Sequence, residues 1–297
     1  MSAELIINAR NATGESPVWQ ARENALYWVD IPAGRLYRWQ LDGPISHWTG
    51  DEMLGCIVRT PQGHWLGARQ SGIFKLTPKA DGSLHAEKRA SVEHALPGMR
   101  FNDGRCDRQG RFWAGTMHTG MGSQPVGALY RHDPASDAPV YALQARLGGL
   151  TVPNGLAFSP DGKTMYLSDS HPEVQLIWAF DYDIDSATPH NRRVFVDMRQ
   201  HPGRPDGATV DAEGCYWICA IDAGKVLRFT PEGKLDRTLE LPVKKPTMCA
   251  FGGPQLDTLF VTSIRPQGVD LADQPLAGGV FALNPGVKGL PEPMARA

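Results

Sequence analysis

Short β-rich runs, each opened by an aromatic, recur along the chain at Tyr27-Trp28-Val29, Trp65-Leu66-Gly67, Phe112-Trp113-Ala114, Tyr166-Leu167-Ser168, Tyr216-Trp217-Ile218 and Phe260-Val261-Thr262. Their spacings of 38, 47, 54, 50 and 44 residues average near 47, the length of a four-stranded propeller blade. A second series follows each run, a turn glycine or polar pair leading into an aliphatic and aromatic strand. It spans Gly34 to Trp39, Gly72 to Leu76, Gly127 to His132, Val174 to Phe180, Gly224 to Phe229 and Gly279 to Leu283. Short turns such as Ala33-Gly34, Gln70-Ser71-Gly72 and Ala223-Gly224 join the two series as antiparallel hairpins.

A third, outer strand is expected at Ile45 to Thr49, His85 to Ala90, Val140 to Arg146, Arg193 to Asp197 and Arg237 to Leu241. The sixth repeat has none, because Leu283 runs into Asn284-Pro285-Gly286 and a Pro-rich stretch. The apolar Leu5-Ile6-Ile7 can supply it, closing the ring and removing two exposed strand edges. The pattern therefore predicts an all-β chain, a six-bladed β-propeller of four-stranded antiparallel blades closed by the N-terminal strand. One domain is expected over residues 1–297. A pair of β-sandwiches would give irregular periods and no complementary leftover ends.

Composition agrees with this. Gly 32 and Pro 24 lie well above the roughly 12% that the two average together, as a turn-rich fold requires. The formal charge of -2 leaves no basic footprint for nucleic acid or an anionic membrane. No apolar run approaches the roughly 20 residues of a spanning helix, and Met1-Ser2-Ala3-Glu4 lacks the basic-then-apolar layout of a signal peptide. A cytoplasmic protein is expected, and no coiled-coil segment sets an oligomeric state. Cys56, Cys106, Cys215, Cys219 and Cys249 are odd in number and form no C-x-x-C pair, so free thiols are expected, with Cys215 and Cys219 in a buried strand rather than on a metal.

The innermost strand of each repeat precedes the aromatic run, and there the repeats differ. In order they carry Gly14-Glu15-Ser16-Pro17, Leu54-Gly55-Cys56, Phe101-Asn102-Asp103-Gly104, Pro153-Asn154-Gly155, Pro205-Asp206-Gly207 and Pro246-Thr247-Met248. Corresponding positions of successive blades converge on one axis, so Glu15, Asn154 and Asp206 are expected to aim oxygens at a common point. Asn-Gly and Asp-Gly are also ordinary turn dipeptides. The shared repeat position, and a glutamate where turn chemistry asks for none, favour a cation site. Two carboxylates and an amide suit Ca²⁺, Mg²⁺, Mn²⁺ or Fe²⁺, and Zn²⁺ less well for want of His or Cys. Arg100 reaches the same channel mouth as a group for hydroxyls, a carboxylate or a phosphate, or forms a surface ion pair. His118 and His171 follow strand ends without a partner at metal-ligand spacing and read as bystanders, His171 the nearer to the channel. Walker, G-x-G-x-x-G, H-E-x-x-H and G-x-S-x-G motifs are absent.

These residues carry a resemblance. Gly14-Glu15-Ser16-Pro17-Val18-Trp19, Arg100-Phe101-Asn102-Asp103-Gly104, Phe112-Trp113-Ala114-Gly115-Thr116-Met117, Val152-Pro153-Asn154-Gly155-Leu156, Pro205-Asp206-Gly207 and Gly252-Gly253-Pro254 resemble the SMP-30/gluconolactonase family of metal-dependent lactonases. The segments Thr258 to Ser263 and Pro275 to Phe281 are most similar to bacterial sugar-acid lactonases acting on glucono-, xylono- or arabinolactones. The resemblance implies that Glu15, Asn154 and Asp206 hold one divalent cation and that Arg100 and Asn102 contact substrate hydroxyls. It departs after the G-T-M motif, where animal members have a substrate-contacting glutamate and this chain reads His118-Thr119-Gly120-Met121. Sugar selectivity therefore does not carry over.

The expected activity is hydrolysis of a sugar-acid lactone to the open-chain aldonic acid, with the carbonyl polarised by the cation and Asp206 as general base. Two alternatives use the same scaffold: a propeller phosphotriesterase acting on organophosphates, and a non-catalytic protein-binding propeller. A broad apolar pocket would favour the first. The placement of Glu15, Asn154 and Asp206 at the channel argues against the second.

Overall fold

The inner strands are apolar enough to be buried on both faces, while the outer ones alternate, and that gradient orders the molecule from axis to rim. The computed structural model describes residues 3–120, 122–133 and 140–296. Met1, Ser2 and Met121, which entered the sequence reading, lie outside the described residues. Blade one runs Gly14–Gln20, Ala25–Asp30, Arg35–Gln40 and Ile45–Thr49 from the axis outward. Blades two to five repeat the order from inner strands Leu54–Arg59, Met99–Cys106, Pro153–Phe158 and Arg204–Val210. Blade six comprises Pro246–Gly252, Thr258–Ser263 and Val280–Leu283, and Glu4–Ile7 pairs antiparallel with the last of these as its outer strand. The six-bladed ring and its closure by the N-terminal strand are thus as the repeat pattern predicts.

The strand expected at Val140 to Arg146 is different. Tyr141–Ala142 pairs in parallel with the outer strand Leu84–Ser91 of blade two, and the outer strand of blade three is Ala145–Leu150. The cause is a competing anchor. Tyr141 Oη bonds His132 Nδ1 at 2.5 Å and accepts from Asp133 N at 2.7 Å, and Leu143 is buried between blades two and three. Its apolar run is therefore consumed by the neighbouring edge.

Packing is between blades. Each of six apolar clusters joins two adjacent blades. Tyr27 meets Trp65 at 4.5 Å between blades one and two, and Trp19 stacks on Phe260 at 5.6 Å across the closure. A fully buried large side chain of this kind contributes about 2–3 kcal/mol. All five cysteines are free and buried. Among the described residues no helix is long and apolar enough to cross a membrane.

The inner strands splay from the axis, so side chains tie them where backbone ladders do not. Ile57 N donates to Ser16 Oγ at 3.0 Å, Leu156 N to Asp103 Oδ2 at 3.0 Å, and Tyr216 Oη to the Gly155 carbonyl at 2.6 Å. Thr247 Oγ1 donates to the Gly14 carbonyl. At the opposite end of the channel the C-terminal segment crosses beneath the ring. Lys288 O accepts from Ala212 N, Gly289 N donates to Leu256 O, Ala295 N to Arg59 O and Arg296 N to Gly110 O. Midway, Glu292 pairs with Arg105 at 3.3 Å.

Candidate metal centre and channel mouth

All six inner strands break register at the same stage, between Glu15 and Val18, Leu54 and Cys56, Phe101 and Gly104, Asn154 and Ala157, Pro205 and Ala208, and Pro246 and Cys249. Such bulges turn side chains out of the alternating pattern and are characteristic of site rims. Ser16, beside Glu15, adopts φ 50, a conformation a non-glycine residue keeps only when its surroundings hold it there. At Gly155 (φ 60) an added Cβ would meet Tyr216 Oη at 2.5 Å and Ser168 Oγ at 2.7 Å, so the residue after Asn154 must be glycine.

Glu15, Asn154 and Asp206 are all buried. Burial pushes the Glu15 carboxyl well above the usual carboxylate range, and the neighbouring charges of Asp206 and Asp103 add to the rise. Burial likewise takes Asp206 up to about 8, against the pull of Arg204. Among the described residues Glu15 Oε2 accepts only the amide N–H of Ser16 at 3.2 Å. Asp206 accepts no hydrogen bond on its carboxylate among the described residues. Two buried carboxylates so poorly supplied with donors disfavour joint ionisation, which is the donor set that a divalent cation satisfies.

Asn154 completes that set under restraint. Its Oδ1 accepts from Asn102 Nδ2 at 3.0 Å and its Nδ2 donates to Ser170 Oγ at 2.9 Å, which fixes the flip of the amide and leaves Oδ1 a second lone pair. Ser170 Oγ in turn donates to the Pro205 carbonyl, next to Asp206. Among the described residues no three His, Cys, Asp or Glu side chains gather as a metal cluster, so the group is an acid pair plus an amide. Its oxygens fit a hard or borderline cation.

Asn102 is a bridge. Besides Asn154 it donates to Pro153 O at 3.1 Å, and its Oδ1 accepts from Arg100 Nη1 at 2.8 Å. Arg100 Nη1 also donates to the Phe101 carbonyl at 2.7 Å. Burial lowers this guanidinium to about 10, with Glu15 and Asp206 opposing, and it remains a cation at neutral pH. His118 and His171 serve their own turns: Nδ1 accepts from Gly120 N at 3.1 Å in the first and from Glu173 N at 3.3 Å in the second.

Sequence reasoning singled out neither Asp103 nor Ser170. Asp103 Oδ2 accepts from Leu156 N, while its buried Oδ1 has no hydrogen-bond partner among the described residues; burial raises its carboxyl and Arg105 opposes that. The Asn-Asp-Gly step contains the signal for Asp103, which the two flanking asparagine and glycine roles obscure. Missed as well is a charged triplet on the lip, Arg204, Asp222 and Lys245. Arg204 binds Asp222 Oδ2 through Nε at 2.9 Å and Nη2 at 2.8 Å, and Lys245 Nζ binds Oδ1.

Fold and site together define a six-bladed propeller whose inner strands carry buried carboxyl and amide oxygens. The chain belongs to the SMP-30/gluconolactonase family: the family model described as the SMP-30/gluconolactonase/LRE-like region matches residues 13–265. It is similar to 6-deoxy-6-sulfogluconolactonase of Pseudomonas putida, 42% identical over 98% of this chain and 97% of that protein. Regucalcin of Danio rerio is 35% identical over 98% and 97%. A solved structure described as a calcium-binding protein, regucalcin, from Agrobacterium tumefaciens has a TM-score of 0.90 and 28% identity, covering 100% of this chain and 98% of that one.

Proposed function

We propose that the protein is a divalent-metal-dependent lactonase that opens a sugar-acid lactone to its aldonic acid. The observation that carries this reading is the buried pair Glu15 and Asp206 beside the fixed Asn154 oxygen, with a cationic Arg100 on the same rim. The similarity to a sulfogluconolactonase over nearly the full length of both chains supports the substrate class.

Glu15, Asn154 and Asp206 would hold the cation. When bound it supplies Lewis-acid polarisation and offsets the charge of the two buried carboxylates. Asp206 accepts a proton from the attacking water, the water oxygen bonds to the lactone carbonyl carbon, and the ring C–O bond breaks as that proton passes to the ring oxygen. Arg100 orients the polyol through its guanidinium N–H groups, and Asn102 positions both Arg100 and Asn154 by spanning them. A calcium-binding neighbour supports a divalent cation, and the all-oxygen donor set favours Ca²⁺, Mn²⁺, Mg²⁺ or Fe²⁺ over Zn²⁺ on ligand preference.

The test is hydrolysis of pentono- and hexono-lactones followed by pH drop, on chelator-stripped protein with each cation restored in turn. Metal-restored turnover is expected. A bound cation with no lactone turnover would refute the reading and point to organophosphates.

A further inference from the structure

The lip beside Asp206 carries a charge imbalance that the hydrolysis itself does not use. Asp222 stands on a tight turn at φ 75 and is shared by two cations, Arg204 and Lys245. The triplet is therefore net positive. Neighbouring Lys244 has its own acid in Asp273, so it adds nothing to the excess. Arg204 spends Nε and Nη2 on Asp222 and one Nη1 N–H on the Ser170 carbonyl at 3.0 Å. A guanidinium has five N–H groups and an ammonium three, so both cations keep donors uncommitted. Their side chains are 20% and 32% exposed, open to a ligand yet partly shielded from water.

The position is as informative as the charge. Arg204 lies two residues before Asp206 on the inner strand of blade five, and Lys245 directly precedes the inner strand of blade six. Ser170, whose carbonyl holds Arg204, holds Asn154 with its hydroxyl. The cations thus border the acid pair on the blade-five and blade-six side, while Arg100 stands on blade three. A lactone with its carbonyl at the acid pair and its hydroxyls at Arg100 can send its far end toward Arg204 and Lys245.

We propose that Arg204 and Lys245, set by Asp222, form a subsite for an anionic group at the terminal carbon of the lactone, making the preferred substrate an acidic aldonolactone rather than a neutral one. This rests on the lactonase reading. Sulfonate and phosphate share the required chemistry, a multi-oxygen anion that accepts several charge-assisted hydrogen bonds. Asp222 competes with the anion for both cations and so tunes the subsite.

The test compares kcat/KM for gluconolactone, 6-deoxy-6-sulfogluconolactone and 6-phosphogluconolactone on the metal-loaded protein. An anionic lactone should be favoured by about tenfold or more, with the better of the two identifying the anion. That preference should fall about tenfold in Lys245→Gln and in Arg204→Gln, shrink in high salt, and rise in Asp222→Asn. Calorimetric binding of the open-chain sulfonated acid against gluconate gives a second readout, expected to lose the same discrimination in Lys245→Gln. Equal kcat/KM for neutral and anionic lactones, or variants that slow all three by one common factor, would overturn the subsite while leaving the lactonase reading intact. Inert behaviour toward all three would overturn both.

Discussion

The inner strand of blade five ends in an aspartate environment of opposite kind at each extremity. Asp206, near its start, is 6% exposed and supplied with no hydrogen-bond donor among the described residues. Asp211, just beyond its end, is 0% exposed and saturated. Its Oδ1 accepts from Glu213 N at 2.9 Å and Cys215 N at 3.0 Å, and its Oδ2 from Trp217 Nε1 at 2.8 Å and Arg228 Nε at 2.9 Å. Asp107 repeats the device in blade three with Gln109 N, Arg111 N, Arg111 Nε and Tyr182 Oη. A buried carboxylate kept for structure has its lone pairs filled by the fold, whereas one kept for chemistry leaves them for a ligand.

That contrast fixes which measurement each substitution should move. Asp206→Asn removes the proposed base and one proposed anionic ligand, and is expected to lower kcat/KM about a thousandfold with no loss of thermal stability, since no protein donor is stranded. Asp211→Asn should do the reverse. It takes one acid from Arg228, which keeps Glu213 and Asp236, and presents an amide N–H₂ to existing buried donors, costing about 2–3 kcal/mol in denaturant unfolding with kcat per folded molecule retained. If Asp206→Asn unfolds the chain as readily, the contrast between the two ends is wrong.

Between these extremes lies the amide bridge. Asn102→Ala cuts Asn154 Oδ1 and Arg100 from their common partner, and metal affinity should weaken about tenfold, as for other groups that orient a ligand. Titration of stripped protein with Mn²⁺ or Ca²⁺ measures this directly. An unchanged affinity would show that Ser170 alone orients Asn154.

The ring was legible because its evidence is local and repeated. An aromatic opening each second strand, a turn glycine after it and a short apolar inner strand recur in every blade, and the missing sixth outer strand points to Leu5-Ile6-Ile7. The equivalent inner-strand positions of Glu15, Asn154 and Asp206 were legible for the same reason. Val140 to Arg146 was misplaced because an alternating run fits either of two adjacent sheet edges, and only the Tyr141 contact to His132 selects one. The roles of Asn102, Ser170 and the Arg204, Asp222 and Lys245 triplet depend on contacts, within and between blades, that join residues 16 to 52 positions apart. No short motif encodes such contacts, since hairpin formation and the stacking of adjacent blades are what bring the partners together.

The smallest expected effect tests whether the two ends of the channel are independent. Glu292 reaches Arg105 from the C-terminal segment at 3.3 Å, and their side chains are 17% and 9% exposed. Arg105 does not rely on it, because Nη2 donates to Ala208 O at 2.7 Å and Nη1 to Thr209 Oγ1 at 3.3 Å. Glu292→Gln should therefore cost only about 1 kcal/mol in denaturant unfolding, with metal affinity unchanged. The second half of that expectation is the discriminating one. Arg105 also stabilises the carboxylate of Asp103, whose other face holds the backbone that follows Asn154. A drop in metal affinity in Glu292→Gln would mean that the C-terminal segment acts through Arg105 and Asp103 on the cation ligands. The saturated end of the channel would then be part of the site rather than its support.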